Sequence, residues 1–146
     1  NGRLEQVDTP DSLYHEPATP FVAEASGICD FLPGTMSAGR AATELGTLPI
    51  ASTNGHLGSD GAVDVLVRLD DFQLTPDPEG ESVVVSREFR GDEILLVVRM
   101  PSGGTLRCRR HHYSTLPVGT KVTLFPIKSA PFVAFTSGEL EGRGDE

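Results

Sequence analysis

From Ile28 to Phe135 the sequence is broken repeatedly by turn-forming residues, and this punctuation leaves room only for short segments. The breaks are Pro33-Gly34, the stretch from Ser52 to Gly61, Pro76 to Gly80, Gly91-Asp92, Pro101 to Gly104 and Pro117 to Thr120. The intervening runs Ile28–Met36, Arg40–Ile50, Ala62–Leu69, Ser82–Arg90, Glu93–Met100, Thr105–Arg110, Lys121–Ile127 and Phe132–Phe135 read as strands. Short strands at this spacing predict a mainly β chain folded as a small barrel or sandwich.

Alternation along these runs sorts faces. Leu106 and Cys108 alternate with Arg107 and Arg109, which turns the thiol toward a core and the guanidiniums toward water. Val122 and Leu124 alternate with Lys121 and Thr123 in the same way. Gly91-Asp92 joins its flanking runs as a two-residue hairpin with glycine at the first central position. The stretch from Ile94 to Val98 is apolar on both faces, so one face is expected to meet something besides the interior. Ile94, Leu96 and Val98 are the candidate contact with a second copy of the chain.

Two short helices precede the strands. Thr9 and Thr19 are N-cap residues, each followed by a proline at the first helical position. Asp11 lies in the first turn of one helix, where the dipole favours a carboxylate, and Pro17 stops that helix near Glu16. Phe21, Val22 and Ala25 supply the apolar stripe of the other, with Gly27 as its cap. Helices of about two turns need a surface to lie on.

Charge and motif content narrow the functional classes. Twelve Lys+Arg against 21 Asp+Glu give a net charge of −9, which opposes phosphate backbones and anionic lipid surfaces. A nucleic-acid-binding OB-fold would want aromatics on a basic groove, and the chain has no Trp and two Tyr. No apolar run approaches membrane-spanning length, so membrane association is expected only through a partner. Cys29 and Cys108 are 79 positions apart, outside any CxxC pattern, and are read as reduced, buried thiols.

No GxxxxGK[ST] run occurs, and Gly119-Thr120-Lys121 lacks both the upstream glycine and the following hydroxyl. Ser102-Gly103-Gly104 reads as a turn between strands. Cys108, His111 and His112 are close in sequence, but strand geometry sends His111 to the other face, and no metal site is assigned. Asp70-Asp71 and Asp92-Glu93 sit at turns, where aspartate bonds the local backbone. No catalytic residue is assigned. The one basic cluster, Arg107, Arg109, Arg110, His111 and His112, is the candidate contact for a small anion or an acidic partner.

Several stretches carry a family likeness. Gly2 to Val7, Thr9-Pro10, Tyr14, Pro17, Phe21-Val22-Ala23 and Gly27 resemble the end of the nucleotide-binding domain in ATPase subunits of bacterial ABC importers. Val67 to Leu74 is similar to the Arg-Pro-Glu-Asp segment of the transport-associated OB-fold (TOBE) domain of those ATPases, with Leu69 and Asp70 in place of Pro and Glu. Residues 83–91, Met100 to Gly103 and Leu116 to Val122 fit as well, and Val-Ser-Arg-Glu-Phe-Arg-Gly most resembles the ferric-iron subgroup.

The resemblance implies a tail of an absent ATPase domain over 1–27, a TOBE-type domain over 28–136 and a flexible tail over 137–146. It implies a regulatory and dimerising role, with no cofactor in this fragment and ATP and magnesium bound by the parent. The implied partners are a second copy, the parent's nucleotide-binding domain and, through it, the permease, at the cytoplasmic face of the membrane. No nucleic acid and no direct membrane insertion are expected. A free-standing OB-like sensor of a small anion is the alternative, with a nucleic-acid-binding OB-fold after it.

Overall fold

The computed structural model describes residues 9–51, 60–111, 116–128 and 130–138. Their order is α1 (Pro10–His15), α2 (Pro20–Ala25), β1 (Cys29–Ser37), β2 (Arg40–Thr43), β3 (Gly46–Pro49), β4 (Gly61–Arg68), β5 (Phe72–Pro76), β6 (Ser82–Arg90), β7 (Glu93–Arg99), β8 (Thr105–His111), β9 (Lys121–Pro126) and β10 (Ala134–Thr136). The chain is mainly β, and its strands form two five-stranded sheets, β10-β4-β1-β2-β3 and β5-β9-β6-β7-β8. It divides into two compact units, one holding the described residues through Leu66 and from Ala130 onward, the other those from Val67 to Lys128.

Both helices start as the sequence predicts. Thr9 Oγ1 accepts from the Ser12 amide and Thr19 Oγ1 from the Val22 amide, each at 3.2 Å, with proline next in line. The end of α2 differs from expectation. Ser26 rather than Gly27 closes it, its amide donating to Val22 O at 3.1 Å and its hydroxyl lying 2.8 Å from Val22 O and 3.1 Å from Leu13 O. The buried face also shifts: Pro20, Val22 and Ala23 are covered, while Phe21 and Ala25 are exposed. Ala23 packs with Cys29, Leu66, Val133 and Phe135, so α2 rests on the first unit's own sheet.

The first sheet is built from tight hairpins. Ser37 and Arg40 flank Ala38 (φ 53°) and Gly39 (φ 77°), the paired left-handed residues that match strand twist. The predicted single strand Arg40–Ile50 is instead two, folded back at Glu44-Leu45. Thr43 drives the reversal, with Oγ1 accepting from the Leu45 amide at 3.0 Å and donating to Gly46 O at 2.8 Å. Past β3, Ile50 meets Phe132 in a parallel bridge, with the Phe132 amide on Pro49 O at 2.9 Å and the Ala51 amide on Phe132 O at 2.7 Å. Phe132, Phe135, Leu32 and Leu48 fill the interior behind this closure.

The second sheet closes on itself in the manner of an OB-like barrel, its terminal strands β5 and β8 meeting across a seam. The Arg109 amide donates to Leu69 O at 3.0 Å across that seam. The β6–β7 hairpin has the predicted turn: Arg90 pairs with Glu93, and Gly91 has φ 74°. β5 was not expected from the sequence. Phe72 and Leu74 do alternate with Gln73 and Thr75, but the run is only five residues, preceded by two aspartates and ending in a proline, and only pairing with β9 makes it a strand.

Candidate functional site

The candidate basic cluster lies on β8, and the strand divides it. Cross-strand pairs share a face, and Leu106, Cys108 and Arg110 stand opposite Val98, Leu96 and Ile94. Arg110 is therefore on the core-facing side. Its long side chain runs to the seam, where Nη1 donates to Leu74 O at 2.8 Å. Arg107, Arg109 and His111 occupy the opposite face. His112 lies outside the described residues.

Arg109 is already held by carboxylates. Its Nε lies 3.2 Å from Asp70 Oδ1 and its Nη1 lies 3.2 Å from Glu93 Oε1. Two anions on one guanidinium cancel its local field, so an external anion would have to displace them. The four described residues thus lie on two faces of β8 instead of one basic face, and the arginines at positions 109 and 110 brace the barrel seam.

The apolar strand is corrected outright. Ile94, Leu96 and Val98 are 1%, 0% and 0% exposed and pack inside the chain's own second unit. A side chain with no accessible surface cannot meet a second copy, so these three are core and not a dimer contact. The opposite face is also largely covered, with Leu95 buried and Val97 half-buried. Apolarity on both sides here reports a strand largely covered on both faces; separately, β7 lies between β6 and β8 in its sheet.

A charged group that sequence reading left in the background stands at the β4–β5 turn. Asp71 is buried, its Oδ2 accepts from the Arg68 amide at 2.8 Å, and its own amide donates to Arg68 O at 3.1 Å. The Ile127 amide donates to Asp71 O at 2.9 Å, which fixes the turn to the end of β9. Burial pushes the Asp71 carboxyl above the ordinary 3.8, opposed by the Arg68 amide and by the charges of Lys128 and Arg68. Burial also lowers the Lys128 ammonium below 10.5, with Asp71 opposing it. Arg68 is buried beside them. The reading of Asp70-Asp71 as turn residues anticipates the backbone bond; the buried Arg68 and half-buried Lys128, 3 and 57 positions from Asp71, come only from the fold.

Asp77 performs a related task at the next turn. Its carboxylate accepts from the Thr123 hydroxyl at 2.7 Å and the Glu79 amide at 2.9 Å, and these bonds, the hydroxyl first, lower its pKa below 3.8. Gly80 completes that turn because a Cβ there would stand 2.8 Å from the Val122 carbonyl carbon and closer still to its oxygen. Ser102-Gly103-Gly104 is a turn between β7 and β8, with Gly103 at φ 97°. Cys29 and Cys108 are buried, one in each unit, and form no disulfide. Among the described residues no helix is long and apolar enough to cross a membrane. These arrangements are structural braces.

Comparison with known proteins gives the family. The model for the TOBE domain matches residues 56–127, a span that includes β4 to β9. An Fe(3+) ions import ATP-binding protein, FbpC 1 of Rhodococcus jostii, is 33% identical over 127 residues, covering 83% of this chain and 36% of that protein. A sulfate/thiosulfate import ATP-binding protein, CysA of Xanthomonas campestris, is 34% identical over 135 residues, covering 80% and 38%. A spermidine/putrescine import ATP-binding protein, PotA of Oleidesulfovibrio alaskensis, is 31% identical over 114 residues, covering 70% and 30%. The chain thus spans roughly a third of the length of these curated relatives.

Proposed function

The chain carries a TOBE domain and is similar in sequence to ABC importer ATP-binding proteins, and from that premise we propose that it is the regulatory and dimerising part of such a subunit. In this reading the first 27 residues continue from an ATPase domain that binds ATP and magnesium, and the β units beyond them hold two subunits together while the nucleotide sites open and close. The permease is then a partner through the parent, which places the chain at the cytoplasmic face of the membrane. The observation that carries the reading is the span of the TOBE match, which takes in all five strands of the second sheet together with its seam arginines.

Ferric iron is the proposed cargo of the parent. Relatives named for iron import are 33%, 35% and 34% identical, and the Val85–Gly91 wording favours the same subgroup. Sulfate and polyamine relatives fall in the same range of identity, so cargo is the part to test. Uptake of labelled ferric iron, sulfate and spermidine should be measured in cells with and without the gene for this chain. Loss confined to iron supports the proposal; loss confined to sulfate or spermidine overturns the iron assignment and leaves the domain reading intact.

A further inference from the structure

Removing Ile94, Leu96 and Val98 from the dimer contact leaves open which surface a second copy would use, and the distribution of charge narrows the choice. Among the described residues the first unit carries one arginine against seven carboxylates, while the second carries nine Lys+Arg against eight Asp+Glu. Two first units therefore repel each other, and two second units, nearly neutral, do not. A contact between copies belongs on the second unit.

Within that unit, exposed apolar surface gathers at the end of β9. The large apolar side chains exposed among the described residues are Phe21, Phe89, Val118, Phe125 and Ile127. Phe21 lies on the acidic first unit, and Phe89 stands between Glu88 and Arg90. Phe125 and Ile127, 51% and 55% exposed, are two positions apart on one extended run, so they share a face. The run stays in the ladder to 127, because the Ile127 amide donates to Asp71 O at 2.9 Å beyond the pairing of Pro126 with Phe72. Val122 and Leu124 alternate with this face and are buried in the core.

The surroundings of the pair are neutral. Gln73 stands opposite Phe125 and Thr75 opposite Thr123, with Gln73 and Thr75 both exposed. Asp71, at the level of Ile127, is buried with its carboxylate on the Arg68 amide, and Lys128 offsets its charge. Exposed charge begins at the far end of the face, where Thr123 donates to Asp77 and Lys121 reaches solvent. A nucleic acid or an anionic lipid surface needs cations around such a patch. A second copy needs only the same apolar and neutral polar groups in return.

We propose that this outer face of β5 and β9 packs on the same face of a second copy, with Phe125 at the two-fold axis. The proposal rests on the dimerising role above and names its surface. Phe125 is the middle of the patch, flanked along the run by Thr123 and Ile127 and across it by Gln73. A residue on the axis of such a self-complementary contact meets its own counterpart, so the two phenyl rings face each other. A handful of side chains per copy buries less than a standard interface, so association of the isolated chain is weak and gains strength when a parent tethers the copies.

The test is sedimentation equilibrium in about 0.15 M salt from about 10 µM to about 1 mM, the range suited to a small, transient interface. The unaltered chain should show a monomer–dimer equilibrium. Phe125→Glu alone and Phe125→Lys alone should each weaken it at least about tenfold, because like charges then meet at the axis. Mixing the two variants in equal amounts should restore the dimer, since opposite charges now face each other; misfolded variants would not recover in this way. Phe89→Glu should leave the association unchanged, and a weakening equal to that of Phe125→Glu would trace the effect to net charge and overturn the proposal. A dimer untouched by either Phe125 substitution, or a mixture that stays monomeric, overturns the β5–β9 face and leaves dimerisation to another surface. An unaltered chain that remains monomeric throughout overturns the face and the intrinsic dimerising role together.

Discussion

The two units close five-stranded sheets by different chemistry. In the first, the closure between Ile50 and Phe132 is made by backbone bonds laid over an apolar interior. In the second, the seam between β8 and the β4–β5 region is held by one backbone bond plus guanidinium contacts, with a buried carboxylate and cations at its turn. An apolar closure depends on packing and responds little to pH or salt. A charged closure depends on partners staying paired and on their protonation, so the same architecture acquires a different sensitivity.

The largest expected effect breaks the apolar closure. Phe132→Ala should cost about 3–5 kcal/mol, the range for emptying an aromatic site in a packed core, read as a lower denaturation midpoint and lost amide protection in β1–β3. Equal loss of protection in β6–β8 would sink the idea that the two closures are separately held. At the charged turn, Asp71→Ala should cost about 2–4 kcal/mol, because it strips an acceptor from the Arg68 amide and an anion from two cations. A denaturation midpoint within error of the unaltered chain would show that this cluster braces nothing.

A pH series sharpens the contrast. The folded Asp71 pKa is raised by burial, so its contribution to stability is full below the unfolded value of 3.8 and is lost as pH rises through the higher folded value. The unaltered chain should therefore lose stability relative to Asp71→Asn as pH climbs from about 4 toward neutrality, a slope that denaturant titrations at several pH values would reveal. A flat difference would contradict the buried-carboxylate account.

Two smaller effects complete the set. Arg109→Ala should cost only about 0.5–1 kcal/mol, since its ion pairs are partly solvated, and the cost should shrink in high salt. Binding of sulfate that is present in the unaltered chain and lost in this variant would reverse the assignment of Arg109 as a brace. Ala38→Asn should stabilise by about 0.5–1 kcal/mol, because Asn tolerates the left-handed backbone at φ 53° better than Ala does. A drop in melting temperature would show that the Ala38-Gly39 turn is not strained.

Much of the fold was legible wherever a few neighbouring residues settle it. The alternation on β8 placed Cys108 inward and Arg109 outward, and the fold agrees; Arg110 belongs to the basic cluster only by its closeness in sequence, whereas the same alternation, and its position opposite Ile94, send it to the core side. The apolar run of β7 showed that both faces are covered. It did not show that β6 and β8 place this strand inside the sheet rather than at its border.

The sequence by itself determined the mainly β character, the Thr-Pro helix starts, the Gly91-Asp92 hairpin and the TOBE likeness, because caps, turns and alternation act over a few residues of backbone. Only the tertiary structure decided that Arg40–Ile50 folds back on itself, that Phe72–Pro76 is a strand, and that Arg109 answers to Glu93 16 positions away. Those outcomes depend on which edges meet when a sheet closes. That choice is made by long-range pairing and burial, which local sequence chemistry permits but does not select.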